Sequence, residues 1–418
     1  MKLLLVDDNK MLARMITKKV SSVLKCDFDI AYDFAEAKEF LDNNQYFAAL
    51  LDLCLPDAMH GQVVDYALSK KIPSIILTGL DDDATRKSFM DKDIVDYVLK
   101  DGNECVDYII DIIERLQRNE NTKIIVAEDS SLMRNVIKNI LKSYKFQVFP
   151  AAHGAEALGY LEQHPDVKLI LSDKEMPVIS GEELIREVRC KYNKNQLGII
   201  VLTAHGSDDV GVRMLKSGAN DFIQKPFSRE NLICRVNSSI DLIYYLEQLK
   251  ESAEKDFLTK LNNRKSFFEI ASAYYSQIDE KTTFAVLMAD IDKFKSINDT
   301  LGHAAGDSVI IRCAHTLLEN VKGGDTVARF GGEEFCVLVK NITKENAIKM
   351  AVKIRSMLKN TPALYCDKHI NFTASLGLAL GNKNIPIEDM IKRADEALYE
   401  AKENGRDRVE IYNGGEID

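Results

Sequence analysis

The chain has 418 residues, 46% of them hydrophobic, and a formal net charge of −10; at roughly 100–200 residues per domain it has room for two to four domains, and its acidic balance argues against a nucleic-acid partner, whose docking surface needs a concentrated basic face. No run of eighteen apolar residues occurs and the N-terminus leads straight into a short strand, so no membrane span and no signal peptide are expected, and the protein is expected to be cytoplasmic. The eight cysteines show no CxxC spacing and the seven histidines no metal-site pattern, which reads as reduced thiols, not a disulfide frame or a zinc site.

Residues 1–245 contain a repeat. Leu3-Leu4-Leu5-Val6-Asp7-Asp8 returns as Ile124-Ile125-Val126-Ala127-Glu128-Asp129, and Leu50-Leu51-Asp52 as Ile170-Leu171-Ser172-Asp173. Ile75-Ile76-Leu77-Thr78 returns as Ile200-Val201-Leu202-Thr203, and Asp96-Tyr97-Val98-Leu99-Lys100 as Asp221-Phe222-Ile223-Gln224-Lys225. The offset is 121 residues for the first two motifs and 125 for the last two, a single register with one small insertion. Helical stretches such as Met11 to Leu24 and Leu132 to Tyr144 separate the strands. Alternating strands and helices predict a parallel sheet covered on both faces, with its site crevice at the strand C-termini. At those ends each copy places an acid pair, an aspartate, a threonine and a lysine. Clustered carboxylates suit Mg²⁺, which neutralises an incoming phosphoryl group. An aspartate among them can act as nucleophile and form an acyl phosphate, whose oxygens a hydroxyl and an ammonium can then hold.

The two copies resemble the receiver domains of two-component response regulators. The resemblance implies flavodoxin-like (CheY-like) α/β folds, phosphoacceptors at Asp52 and Asp173, and a cognate sensor histidine kinase as partner. It implies Mg²⁺ or Mn²⁺ in two acidic pockets, one of Asp7, Asp8 and Asp52 and the other of Glu128, Asp129 and Asp173. Thr78 with Lys100, and Thr203 with Lys225, become the switch residues, and Tyr97 and Phe222 take the aromatic switch position. The second copy ends in the family's usual Lys225-Pro226-Phe227, where a cis bond helps aim the lysine; the first has Lys100-Asp101-Gly102. The first also has one residue more between Asp52 and Gly61 than the second has between Asp173 and Gly181, and it has Gly79 where the second has Ala204. Which copy takes the phosphate, or whether both do, stays open at this point.

Leu232, Val236, Ile240, Ile243, Leu246, Leu249 and Ala253 recur at intervals of three and four residues, one face of a continuous helix leaving the second copy. The stripe is either packing alone or a dimer seam.

Further on, an apolar strand from Phe284 to Met288 delivers Asp290 to its end, and a second strand, Phe335 to Val339, begins just after Gly331-Gly332-Glu333-Glu334. As neighbours, these strands bring Asp290 and Glu333 to one point. Two hard oxygen ligands beside glycines that admit a close approach suit Mg²⁺ carrying a nucleoside triphosphate. The run Ala328-Arg329-Phe330-Gly331-Gly332-Glu333-Glu334-Phe335, with Asp290-Ile291-Asp292 upstream and the opening segment Asp256 to Arg264, resembles the GGDEF domain of diguanylate cyclases in its GGEEF spelling. The resemblance implies an α+β domain with a mixed, mainly antiparallel sheet of the nucleotide-cyclase/polymerase-palm type. It implies Mg²⁺ or Mn²⁺ on Asp290, Glu333 and the carbonyl of Ile291. Glu334 becomes either a second-metal ligand or a support for the attacking 3′-hydroxyl. Asn298 and Asp307 would read the guanine edge, Phe294 would line the substrate site, and Lys295, Lys402 and Arg406 would contact phosphates. Many members carry an RxxD product-inhibition motif; here those positions read Lys322-Gly323-Gly324-Asp325. Lysine keeps the charge but loses the planar fork, so the segment reads equally as a plain surface turn or an inhibitory site of Lys322 and Asp325.

The expected organisation is a receiver domain at 1–118, a second at 123–245, a helical linker at 229–255 overlapping the last receiver helix, and a GGDEF domain at 256–412. The resemblance is to the PleD-like, tandem-receiver diguanylate cyclases and covers nearly the whole chain. It implies phosphorylation-regulated condensation of two GTP into cyclic di-GMP and pyrophosphate by a homodimer, with no nucleic-acid or membrane partner. The alternative is a catalytically silent response regulator that binds GTP or cyclic di-GMP and acts by protein contact.

Overall fold

A computed structural model describes residues 1–79, 88–89, 92–101, 104–204 and 208–412. The chain forms two compact units, Met1–Glu247 and Gln248–Asp418. In the first unit, β1 (Lys2–Val6), β2 (Asp27–Ala31), β3 (Ala48–Asp52), β4 (Ser74–Thr78) and β5 (Asp96–Leu99) build one sheet; β6 (Lys123–Ala127), β7 (Gln147–Ala151), β8 (Leu169–Asp173), β9 (Gly198–Thr203) and β10 (Asp221–Gln224) build another. The orders are β2-β1-β3-β4-β5 and β10-β9-β8-β6-β7, both wholly parallel. Each is the doubly wound order in which the chain reverses direction beside the first strand. The near-continuous apolar runs explain this: successive residues of β1 go to opposite cores, Leu3 and Leu5 to one and Leu4 and Val6 to the other. Side-chain caps set the helix starts. The Asn9 carboxamide accepts from the N–H groups of Met11 and Leu12, and Asp33 accepts from Glu36. Ser180 forms a capping box with Glu183.

The two sheets share one core. Ile109, Ile113 and Leu116 of the helix Glu104–Asn119 lie in the same apolar cluster as Ile124, Leu141, Leu232 and Ile240. Polar contacts stitch the same seam. Tyr144 donates to the carbonyl of Val95 at 2.8 Å, the Asn119 amide donates to that of Tyr144 at 3.0 Å, and Arg115 and Arg118 both pair with Asp241. Arg229 pairs with Asp93 and reaches Ser143. The helix Arg229–Glu254 is continuous, as its spacing predicts, but its stripe divides: Leu232, Val236, Ile240 and Ile243 are buried, whereas Leu249 and Ala253 are exposed.

In the second unit a six-stranded sheet runs β11 (Asn262–Asn263), β13 (Thr326–Gly331), β14 (Glu334–Val339), β12 (Phe284–Ile291), β17 (Ala374–Gly381), β18 (Val409–Ile411), beside a hairpin of β15 (Ala363–Tyr365) and β16 (Lys368–Ile370). Its three inner pairings are antiparallel and the two outer ones parallel. The mixed sheet expected for this part of the chain is therefore present. The helix Ile387–Glu403 lies so close to β17 that a Cβ at Gly377 would stand 2.1 Å from the Ala394 carbonyl oxygen and 2.2 Å from the Leu398 nitrogen. Gly377→Ala is expected to cost about 3 kcal/mol through overpacking, read as a lower urea midpoint for the transition that unfolds this unit.

Candidate active site and phosphoacceptor pockets

Each receiver sheet gathers its acids at the strand ends. Asp7 ends the β1 run, Asp52 ends β3, and one carboxylate oxygen each from Asp7, Asp8 and Asp52 falls within a 4.8 Å cluster; Glu128, Asp129 and Asp173 do the same in the second copy. Asp7, Asp52 and Glu128 are buried, while Asp8 and Asp129 are exposed. A lysine spans each pocket. Lys100 Nζ lies 2.7 Å from Asp7 and 2.5 Å from Asp52, and Lys225 Nζ lies 2.6 Å from Glu128 and 2.7 Å from Asp173. Burial pushes the carboxyls of Asp52 and Glu128 above the usual range, against the opposing pull of Lys100 and Lys225. Burial works to lower both ammonium groups, yet their carboxylate partners outweigh it and raise them. Thr78 and Thr203 are buried beside these ends, and Tyr97 and Phe222 are half-buried. Three carboxylates per pocket around a cationic position are a donor set that fits Mg²⁺ or Mn²⁺.

The copies differ in the loop after Asp52 and Asp173. In the first, Asp57 accepts from the N–H groups of Phe34 at 2.8 Å and Ala35 at 3.0 Å, capping the helix Phe34–Asn43 from a distance. The longer loop is thus tied down, a contact the sequence does not announce. Lys225–Pro226 is the one cis peptide among the described residues.

In the second unit, Asp290 pairs in register with Glu334, and the Ile291 N–H reaches the Glu333 carbonyl at 3.4 Å. A bulge between Arg329 and Gly331, with Gly332 at φ +40, swings the Gly-Gly-Glu-Glu turn beside the end of β12. Asp290 is buried, Glu333 half-buried and Glu334 exposed. Burial raises the Asp290 carboxyl; Lys402 opposes this at 2.8 Å, and Glu333 and Glu334 add to it. Asp290 and the two glutamates thus influence one another electrostatically, but among the described residues only the two receiver pockets bring three carboxylates within 4.8 Å; the three acids here do not close into such a cluster. Lys402, placed by its sequence position at the end of a helix, is not simply solvated there, because it holds Asp290.

Asn298 lies on the helix Phe294–Leu301. Its Oδ1 is buried without a hydrogen-bond partner among the described residues, and a Cβ at Gly306 would lie 1.9 Å from it. Only glycine lets the helix His303–Glu319 approach that amide, with Phe294 close by and exposed Asp307 next along. Lys295 and Arg406 are exposed. Asp325 uses both oxygens on backbone, accepting from Lys322 N at 2.9 Å and Lys340 N at 2.9 Å, while the Lys322 side chain is exposed. Two residues escaped sequence reasoning. Arg329 holds Asp256 at 3.0 and 3.1 Å and donates twice to the Gly332 carbonyl, so the opening segment and the Gly-Gly-Glu-Glu turn share one guanidinium. Asp292 is saturated by protein donors, the Thr373 and Ser375 hydroxyls and the Asp407 N–H. An arginine inside an otherwise apolar strand was the available signal for the first.

Tandem sheets of the doubly wound order, each with an acid–lysine pocket, ahead of a mixed cyclase-type sheet, define a response regulator with a nucleotide-binding output domain. Residues 3–107 and 124–237 match the response regulator receiver domain, and residues 253–408 match the diguanylate cyclase GGDEF domain. The chain belongs to the response regulator receiver family and carries a C-terminal GGDEF domain. Response regulator PleD of Caulobacter vibrioides is 25% identical, over 98% of both chains. Diguanylate cyclase A of Treponema denticola is 37% identical over 187 residues, 44% of this chain and 50% of that one, so the match spans about half of that relative. A solved two-component response regulator/GGDEF domain protein superposes with a TM-score of 0.51 at 34% identity, covering 58% of this chain and 99% of the other. Among the described residues no helix is long and apolar enough to cross a membrane.

The raised Asp290 carboxyl sets a sign. Its proton is held more tightly folded than unfolded, so the ionised form disfavours folding at neutral pH and the penalty fades as pH falls through the folded pKa. Asp290→Asn is expected to abolish turnover while leaving Tm at pH 7 equal to or above that of the wild type. Calorimetry at pH 7 and in the acid range checks this: any gain should shrink on acidification, and a clear loss at pH 7 would contradict the assignment.

Proposed function

We propose that the protein condenses two GTP into cyclic di-GMP and two pyrophosphates, as a homodimer gated by receiver phosphorylation in the cytoplasm. The observation that carries this reading is the register that sets Asp290 of β12 opposite Glu334, beside the bulged Gly-Gly-Glu-Glu turn, with Lys402 paired to Asp290. Asp290, Glu333 and the Ile291 carbonyl would hold Mg²⁺ or Mn²⁺, which supplies charge neutralisation on the triphosphate and polarises its α-phosphorus when bound. Asn298 and Asp307 take the guanine edge against Phe294, the unpartnered Asn298 oxygen being ready for a base N–H. Lys295, Lys402 and Arg406 grip phosphate oxygens. In each transfer a 3′-oxygen forms a bond to the partner's α-phosphorus, the bridge to the β-phosphate breaks, and the hydroxyl proton leaves past Glu334. Because the product is a symmetric ring and each domain holds one GTP, two domains must face each other.

The receivers supply the gate. The phosphoacceptors Asp52 and Asp173 have a sensor histidine kinase as donor, and a phosphate there competes for Lys100 or Lys225. Arg229 and Tyr144 grip the segment Asp93 to Val95 that leads into β5 and its Lys100, which supports receiver-to-receiver packing as the quantity that changes. Incubation with GTP and Mg²⁺ is the direct test: chromatography should reveal cyclic di-GMP from the wild type and none from Glu333→Ala. GTP binding without any product would favour the silent, contact-signalling alternative. Beryllofluoride should raise dimer fraction and specific activity together, and lose that effect in the Asp52→Asn, Asp173→Asn double variant.

Product inhibition is expected to be weak, because Lys322 offers one ammonium where arginine offers a fork, and one charge-assisted hydrogen bond is worth about 1.5–3 kcal/mol. Asp325, already closing the turn, presents Lys322 at an exposed tip. Lys322→Arg should make progress curves slow earlier with initial rates unchanged; identical curves would remove this loop from product control.

A further inference from the structure

Asp292 stands two residues beyond Asp290, just past β12, and resembles a second metal carboxylate. Its surroundings assign it other work. It is 7% exposed, and both oxygens already accept protein hydrogen bonds. Ser375 donates to Oδ1 at 2.7 Å; Thr373 at 2.7 Å and the Asp407 backbone N–H at 3.1 Å donate to Oδ2. The last of these matters most. Arg406 and Asp407 are consecutive non-glycine residues in the left-handed region, at φ +63 and +46. Such residues persist only where their surroundings over-determine them, and they gather at functional sites. Here four attachments fix the turn. The Arg406 N–H bonds to the Ala401 carbonyl at 3.0 Å, and the Asp407 N–H bonds to Asp292. Arg355 donates to the Asp407 carbonyl at 2.7 Å, and Lys359 pairs with the Asp407 carboxylate at 2.6 Å. The guanidinium of Arg406, by contrast, has among the described residues only a 3.3 Å contact to the Lys402 carbonyl, and the residue is exposed. Backbone is clamped and side chain left available.

We infer that Asp292 is a positioning residue: by holding the Asp407 N–H it fixes the strained turn that aims Arg406 at the triphosphate. This rests on the reading of Arg406 as a phosphate contact. It makes the two acids of Asp-Ile-Asp functionally unlike, the first facing the reacting atoms and the second setting the geometry of a cation that binds them. An amide at position 292 can keep the critical bond, since its oxygen at the Oδ2 position still accepts from Asp407 and Thr373 while the Ser375 hydroxyl turns to accept from its N–H₂.

The test uses the full chain and 3′-deoxy-GTP, which lacks the attacking hydroxyl, with affinity measured by calorimetry. Asp292→Ala should weaken binding about tenfold, the scale of one lost charge-assisted contact, whereas Asp292→Asn, Thr373→Val and Ser375→Ala should stay close to the wild type. Arg406→Ala should weaken binding by itself, and adding Asp292→Ala to it should cause no further loss. Arg355→Met reaches the same turn from its other side and should show the same dependence on Arg406, which keeps the test decisive if Asp292→Ala does not fold. Additive losses, or Asp292→Asn as weak as Asp292→Ala, would overturn the inference while leaving Arg406 as a phosphate contact. Unchanged affinity in Arg406→Ala alone would instead remove the phosphate contact, and the inference with it.

Discussion

Carboxylates crowded at the end of a sheet must be neutralised or they will not stay charged there, and in this chain a lysine ammonium does so three times. Lys100 spans Asp7 and Asp52, Lys225 spans Glu128 and Asp173, and Lys402 sits on Asp290. Desolvating such acids without a cation is costly. The partner is a compact charge on a flexible stem, not a rigid fork. That choice suits sites whose charge has to change, because an ammonium can follow an oxygen that has moved or been phosphorylated. In each receiver the sheet order makes the reach possible. The lysine follows the edge strand, and its side chain crosses the end of the next strand, where the threonine lies buried, to meet acids on the two strands beyond.

Much of this was legible in the chain because the motifs are local. Apolar runs of strand length ending in Asp52, Asp173 or Asp290 state the element and where it stops, and repetition in register marked two like units. The linker stripe was legible as a helix but not in what it packs against. Spacing by threes and fours cannot say that Ile240 lies under the neighbouring receiver while Leu249 meets solvent. What sequence did not disclose is long-range polar contact. Asp57 caps a helix that starts more than twenty residues earlier, Arg329 finds Asp256 at a separation of 73, and Asp292 finds Asp407 at 115. None of these pairs has a periodicity, and a single aspartate before a glycine-rich or apolar stretch has too many uses for its partner to be named.

The two receivers show how one site tolerates two local solutions. In the second, Lys225 follows β10 into the cis Lys225–Pro226 bond; in the first, no proline follows Lys100, yet both ammonium groups reach their acid pairs within 2.7 Å. The longer loop after Asp52, which would otherwise be the looser of the two, is anchored through Asp57 to the neighbouring helix. Geometry at the acid–lysine pocket is therefore held by different attachments in the two copies.

Asp290 and Asp292 put the distinction between reactive and supporting acids on a physical footing. They are two residues apart on the same stretch of chain, and both are buried. Asp290 has the Lys402 ammonium, two acidic neighbours and a carboxyl that burial pushes upward. Asp292 has three fixed donors and no charged partner, so its oxygens are committed to the fold. Burial alone does not separate the two roles; the nature of the compensating group does. A carboxylate compensated by fixed dipoles organises what surrounds it, whereas one compensated by a displaceable ion is free to exchange that ion for substrate-bound charge.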